Sequence, residues 1–210
     1  MVGYYGKRAR EYERIYQKPE RQADLLSLRR FVEKTFAGTD VFEVACGTGY
    51  WTGVLARSAA SVVAMDVNEE VLAIARAKCM GQSVTFQQGD AYALHPSTRR
   101  FNAGLSAFWW SHIPKSRLNA FLRGLHRCLS PGARVVFIDN VYVEGNSTPV
   151  SGTDQHGDTY QIRRLDDGST FEVCKNFPTE SELLTATGDL ASNARVQVLR
   201  YYWILSYLRR

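Results

Sequence analysis

Three short runs in this sequence combine residue types and spacing suited to gripping a nucleoside. The first, Val41-Phe-Glu-Val-Ala-Cys-Gly-Thr-Gly-Tyr50, is an apolar run that ends in Gly-Thr-Gly. Gly47 and Gly49 remove the side chains that would hold a ligand off the backbone, and they accept dihedral angles that other residues avoid. The helix expected next offers unpaired N–H groups to an anion or carboxylate. Alone, such a turn signals only a tight bend. Asp66 adds specificity, because it closes the run SVVAMD 19 residues after Gly47, where a carboxylate can accept hydrogen bonds from both hydroxyls of a ribose. Asp90, in Gln88-Gly-Asp-Ala91, ends a third run and is placed to meet an adenine amino group. A ligand containing adenosine accounts for all three runs.

A nicotinamide dinucleotide fits less well. Its fingerprint needs Gly-x-Gly-x-x-Gly/Ala, with a third small residue for helix packing. Counted from Gly47, that third position is Thr52, and Tyr50 and Trp51 crowd the space of a pyrophosphate. Counted from Ala45, the pattern fails at its first glycine.

To bring the two acids to one edge, the runs must be parallel strands, and the chain alternates accordingly. Asp40–Ala45 and Ser61–Asp66 read as strands about a helix near Tyr50–Ser58, which is a βαβ unit. A helix Asn68–Lys78, a strand Ser83–Gln87, the run FNAGLSAFWW, a helix Ser116–Leu129 and the strand ARVVFID continue the alternation. That pattern argues an α/β fold with a mostly parallel sheet and helices on both faces. From Arg8 to Phe36 the apolar spacing predicts helix, a cap before the first strand. Residues 140–177 are an excursion in which TYQIRRL-DDG-STFEVCKNF alternates about a turn like a β-hairpin. It is expected to lie over the edge where ligands sit. Pro178 to Glu182 opens a further helix, and ARVQVLRYYWILSYLRR holds two β-rich runs.

With 210 residues, 45% of them hydrophobic, the chain is expected to form one domain over 1–210. The 26 Lys+Arg against 21 Asp+Glu leave a net charge of +5, spread in pairs such as Arg29-Arg30, Arg99-Arg100 and Arg163-Arg164. Scattered pairs read as a solvated basic surface more than a nucleic-acid footprint. No apolar run approaches a membrane span, and MVGYYGKRAREYERIYQK has no hydrophobic signal core, so a cytoplasmic protein is expected. Cys46, Cys79, Cys128 and Cys174 are far apart and are read as reduced thiols. No Asp, Glu and His cluster near the ligand edge has metal-ligand spacing.

The three runs, in this order, resemble those of the class I S-adenosylmethionine-dependent methyltransferases of the small-molecule type. The resemblance covers about residues 40–140. Glu43-Val-Ala-Cys-Gly-Thr-Gly49 stands in the place of the family's E/DxGxGxG, with Ala45 replacing its first glycine. Asp66 stands as its ribose acid and Gly89-Asp90-Ala91 as its adenine segment, and the likeness extends to Ser106–Pro114 and to Leu129-Ser-Pro-Gly-Ala-Arg-Val-Val. It implies a seven-stranded sheet of order 3-2-1-4-5-7-6, the two terminal β runs supplying its last strands. It also implies S-adenosylmethionine (SAM) as cofactor, held by Glu43, Ala45, Cys46, Gly47, Gly49, Trp51, Asp66, Val67, Asp90, Ala91 and Phe108. An N-terminal lid over residues 1–38 would add Tyr5, Arg8 and Tyr16.

The expected reaction is methyl transfer to an O or N atom of a small molecule. Trp109, Trp110 and Asn140 are the expected acceptor contacts. His112 is the expected general base, since a neutral imidazole accepts protons near pH 7. Other roles stand beside these: the Trp pair could pack the fourth strand, Tyr12 and Tyr16 could be a packed helix face, and His112 could order a loop. His95 and His126 read as structural or exposed, while Asp139 and His156 are weaker candidates for chemistry. Intramolecular displacement within SAM and a non-catalytic SAM-binding module are the competing functions. Nucleic-acid methylation lacks its Asn/Asp-Pro-Pro-aromatic motif, Ser106–Trp109 reading SAFW. A monomer or homodimer, without nucleic acid or membrane as partner, is expected.

Overall fold

The computed structural model describes residues 2–9, 11–78, 83–95 and 100–210; Cys79 and Arg99 lie outside them. The chain opens with α1 (Val2–Arg8) and α2 (Gln22–Thr35), then alternates β1 (Asp40–Val44), α3 (Tyr50–Leu55), β2 (Ser61–Asp66), α4 (Glu69–Lys78) and β3 (Val84–Gln88). Next come β4 (Phe101–Ala107), α5 (Lys115–Cys128) and β5 (Leu129–Asn140). Three short strands follow, β6 (Gly152–Thr153), β7 (Thr159–Arg164) and β8 (Thr170–Cys174). The chain ends with α6 (Glu180–Thr187), β9 (Ala191–Val198) and β10 (Tyr202–Arg209).

The main sheet has the order β3-β2-β1-β4-β5-β10-β9, the order the resemblance implies. Its first five strands are parallel, and β10 is antiparallel to both β5 and β9. Only Leu199, Arg200 and Tyr201 separate β9 from β10, far too few for a crossover, so the two form a hairpin. The sequence of β10 decides which of the pair lies inside. Tyr202, Trp203, Ile204 and Leu205 are all buried, and a continuous apolar run needs cover on both faces.

Alternation along the strands divides the core in two. Val41, Val136 and Ile138 face α2 residues Leu25, Leu28 and Val32 together with Val54 and Leu55 of α3. Their neighbours Phe42, Val135 and Phe137 face Phe121, Leu122 and Leu125 of α5. A capping box between Thr179 and Glu182 starts α6, as a Thr followed three residues later by Glu should.

The stretch before Pro19 departs from the helical reading of Arg8–Phe36, while the stripe after it is helix. Tyr12–Tyr16 is a 3-10 turn, Pro19–Arg21 is another, and regular α-helix begins only at Gln22. Pro19 explains the break. It lacks a backbone N–H and forces the preceding Lys18 into an extended conformation, ψ 120°. The excursion forms a small antiparallel sheet, β6-β7-β8, whose Asp166-Asp167-Gly168 turn places Gly168 at φ +83°. Tyr4 of α1 is buried against Leu165, Phe171 and Val173, so the N-terminus is pinned to this hairpin. No helix among the described residues is long and apolar enough to cross a membrane.

Candidate active site

A cleft of about 550 Å³ opens at the carboxyl ends of β1, β2, β3 and β4. Its floor is the turn after β1, where Ala45, Gly47 and Gly49 all adopt positive φ (58°, 54° and 79°). Two of the three are glycine, for which this region is free of Cβ strain; Ala45 carries that strain. A Cβ built on Gly47 meets no atom within 4 Å, so the turn borders open space that any side chain there would fill.

Asp66 ties the turn to β2. Its Oδ2 accepts the Gly47 N–H at 2.9 Å and its Oδ1 accepts the Asn68 N–H at 3.0 Å. Burial raises its pKa against those two donors. Asp66 also lines the cleft. Asp90 also lines it, with Oδ1 accepting the Tyr92 N–H at 2.8 Å. Glu43 lies beneath the turn instead. It is 1% exposed and accepts the Thr52 hydroxyl at 2.6 Å, and burial pushes its carboxyl up to about 8.

Beyond the cleft lies a second cavity of about 170 Å³, walled by the N-terminal segment, β7 and the loops after β5 and β8. Tyr5, Tyr12, Phe108 and His112 border both spaces. Phe108 stands at this junction with φ +59°, an unfavourable region for an aromatic residue, anchored by its N–H to the Ile138 carbonyl at 2.7 Å. The His112 Nδ1 lies 2.6 Å from the Cys174 carbonyl, so it carries the proton, leaving Nε2 to accept the Tyr5 hydroxyl at 2.6 Å. Burial, reinforced by the Lys175 charge, lowers the His112 pKa to about 3, and burial raises that of Tyr5 well above its ordinary value. Both partners are therefore neutral.

Lys175 and Asp139 sit just behind His112, 4% and 0% exposed. The Lys175 ammonium donates to Asp139 Oδ1 (2.9 Å), Ser111 Oγ (2.7 Å) and Asn140 Oδ1 (2.9 Å), which uses all three of its protons. Burial would raise the Asp139 pKa, but Lys175 overrides it and the carboxylate stays ionised.

Of the residues expected at the site, Ala45, Gly47, Asp66, Val67, Asp90, Ala91 and Trp109 line the cleft, Arg8 and Asn140 line the second cavity, and Tyr5, Phe108 and His112 line both. The others lie elsewhere. Trp51 is packed in the core with Val54 and Leu55, Tyr16 is stacked on Tyr50 at 3.8 Å, and Cys46 is buried with them. Gly49 caps α3, and Trp110 packs against Phe137 and Trp203. A helical stripe shows which side of an element is apolar, not whether a ring meets a neighbour or a ligand. Met65, Tyr92, Arg117, Glu172, Arg21, Arg163 and Lys175 border the two spaces without having been anticipated. Only the charge of the last few could have signalled them. His95 is exposed, and His126 is buried against Tyr207 at 2.9 Å. Among the described residues no cluster of His, Cys, Asp and Glu could hold a metal ion.

A family model described as a methyltransferase domain matches residues 41–132. The demethylmenaquinone methyltransferase of Tropheryma whipplei (strain Twist) is 34% identical over 101 residues, 48% of this chain and 41% of that protein. The 18S rRNA (guanine-N(7))-methyltransferase RID2 of Arabidopsis thaliana is 29% identical over 133 residues, 60% of this chain and 44% of that protein. The matches thus span less than half the length of these two relatives. The structure of DhpI in complex with SAH matches 99% of this chain and 94% of its own, with TM-score 0.81 and 28% identity. The DhpI–SAM–HEP complex matches with the same score and identity over 100% and 95%.

Proposed function

We propose that the chain, whose residues 41–132 match a methyltransferase-domain model, is a class I S-adenosylmethionine-dependent methyltransferase that transfers the methyl group of SAM to an oxygen or nitrogen atom of a small molecule. The observation that carries this reading is the pairing of two compartments across one wall. The cleft has the turn, Asp66 and Asp90 for an adenosine, and the adjoining cavity has room for a compact acceptor. DhpI, alike over nearly the whole chain, is known with SAM and a second compound, HEP, together. When bound, SAM supplies an electrophilic methyl group on a sulfonium centre.

The residues of this chain then have distinct tasks. Asp66 accepts from the ribose hydroxyls and Asp90 from the adenine amino group. Tyr5, Tyr12, Phe108 and Trp109 border the cleft with aromatic faces, which attract a sulfonium by roughly 0.5–2 kcal/mol each and exclude water. The narrow junction aligns acceptor and methyl group, and alignment alone can supply several orders of magnitude in rate. His112 is the proposed base for an acceptor that carries a proton, acting through Nε2 once the Tyr5 hydroxyl leaves it. One relative is named for an rRNA guanine, but a cavity of about 170 Å³ walled on several sides favours a small acceptor over a polynucleotide.

Incubation of the full chain with methyl-labelled SAM and panels of small molecules and rRNA, followed by mass spectrometry, tests the proposal. Formation of SAH with a labelled small product is expected. Methylthioadenosine would mean attack elsewhere on the cofactor, and labelled RNA alone would overturn the acceptor assignment.

A further inference from the structure

Positive charge is gathered around the second cavity. Arg8, Lys18, Arg21, Arg163 and Lys175 all line it, and no carboxylate does. Among the described residues only Lys175 of these five forms an ion pair, with Asp139 behind the wall. The three arginines lie against neutral groups. Arg163 donates to Thr148 Oγ1 at 2.7 Å and to Gln161 Oε1, contacts that aim a guanidinium without cancelling its charge. Arg8 lies over the rings of Tyr4 and Tyr12, at 5.6 and 5.3 Å. Arg21 is only 8% exposed, lies over the rings of Tyr201 and Tyr202, and holds a buried Nε with no partner.

Arg21 is buried and Arg8, Lys18 and Arg163 are half-buried; gathering like charges around one partly desolvated space is costly, and a buried donor left unpaired adds to that cost. A bound anion offsets both. Guanidinium groups suit this task because their planar forks match the oxygens of phosphoryl and carboxylate groups. Resting on the methyl-transfer reading above, we infer that the acceptor is a small oxyanion, its phosphoryl or carboxylate group held by Arg8, Arg21 and Arg163. The carboxylate of SAM is a poor alternative claimant. Neither Arg8, Arg21 nor Arg163 borders the cofactor cleft, and one carboxylate cannot occupy three guanidinium groups and a cavity of its own.

Isothermal titration of the full chain saturated with SAH, at constant ionic strength, provides the test, with inorganic phosphate and acetate as probes. At least one probe is expected to bind alongside SAH, and the stronger of the two identifies a phosphoryl or a carboxylate acceptor. Arg163→Gln should weaken the probe at least tenfold while leaving the SAH Kd within twofold. Arg8→Gln is the second variant should Arg163→Gln lose its native near-UV circular dichroism, with the same expectation. Three results overturn the inference: SAH binding with neither probe bound, probe affinity unchanged in the variants, or competition between probe and SAH. Failure of SAH itself to bind would instead sink the methyl-transfer reading from which the inference starts.

Discussion

The Tyr5 hydroxyl donates to Nε2 of His112 across 2.6 Å, joining the N-terminal helix to the turn after β4 at the junction of the two compartments. Tyr5→Phe deletes this link and leaves a buried lone pair. The variant should lose about 1–3 kcal/mol of stability in urea denaturation. If His112 serves as base once Tyr5 withdraws, the variant keeps at least a tenth of wild-type kcat whereas His112→Ala does not. Equal activity in both variants would remove His112 from the chemistry.

Asp66 serves the turn and the proposed ribose contact at once. Asp66→Ala should weaken SAH binding by about 1–3 kcal/mol, read by calorimetry, with the Gly47 and Asn68 N–H groups losing their acceptor as well. Unchanged affinity would show that the sugar is held elsewhere.

Ala45 occupies the left-handed region in the place where the family has glycine. Replacing it by glycine relieves about 1–2 kcal/mol of Cβ strain against a larger unfolded-state entropy. Ala45→Gly should therefore raise stability by roughly 0.5–1 kcal/mol, seen as a higher urea midpoint with an unchanged slope. A lower midpoint would mean that the methyl group contributes packing worth more than the strain.

Two buried groups oppose each other in pH dependence. Glu43 has its pKa raised by burial from 4.5 to about 8, so its contribution is complete below pH 4.5 and is lost as pH climbs towards 8. His112, lowered by burial from 6.5 to about 3, contributes fully above pH 6.5 and loses that contribution as pH falls towards 3. The two windows overlap from pH 4.5 to 6.5, where their opposing slopes cancel, so stability should be greatest there. Glu43→Gln keeps a partner for Thr52 yet removes the alkaline loss, so the urea midpoint of this variant should stay flat from pH 6.5 to 8, where the wild type declines. A decline parallel to wild type would assign the loss to another group.

Lys175 neutralises a carboxylate with no exposure to solvent. Lys175→Met leaves Asp139 buried and unpaired and should cost about 3–5 kcal/mol, measured by chemical denaturation. A cost below 1 kcal/mol would show that the Ser111 and Asn140 N–H groups suffice to hold the charge.

The residues legible in the sequence are those whose role is local. A strand that ends in Gly-Thr-Gly, and acids at the ends of the next two strands, lie on one edge because parallel strands carry their carboxyl ends together. Residue type and spacing therefore sufficed for Gly47, Asp66, Asp90 and the sheet itself. The tertiary structure decided what depends on distant pairing. Arg163-Arg164 reads as one more exposed basic pair, yet alternation along β7 turns Arg163 into the second cavity and leaves Arg164 in solvent. His112 reads as a free base until Tyr5, 107 residues away, is found on its Nε2. Lys175 and Asp139, 36 apart, meet only because the excursion folds back over the sheet edge. Periodicity states which face of an element is buried. Which residue from elsewhere in the chain comes to lie against that face is settled by packing, and the partners made there govern charge, proton position and access at this site.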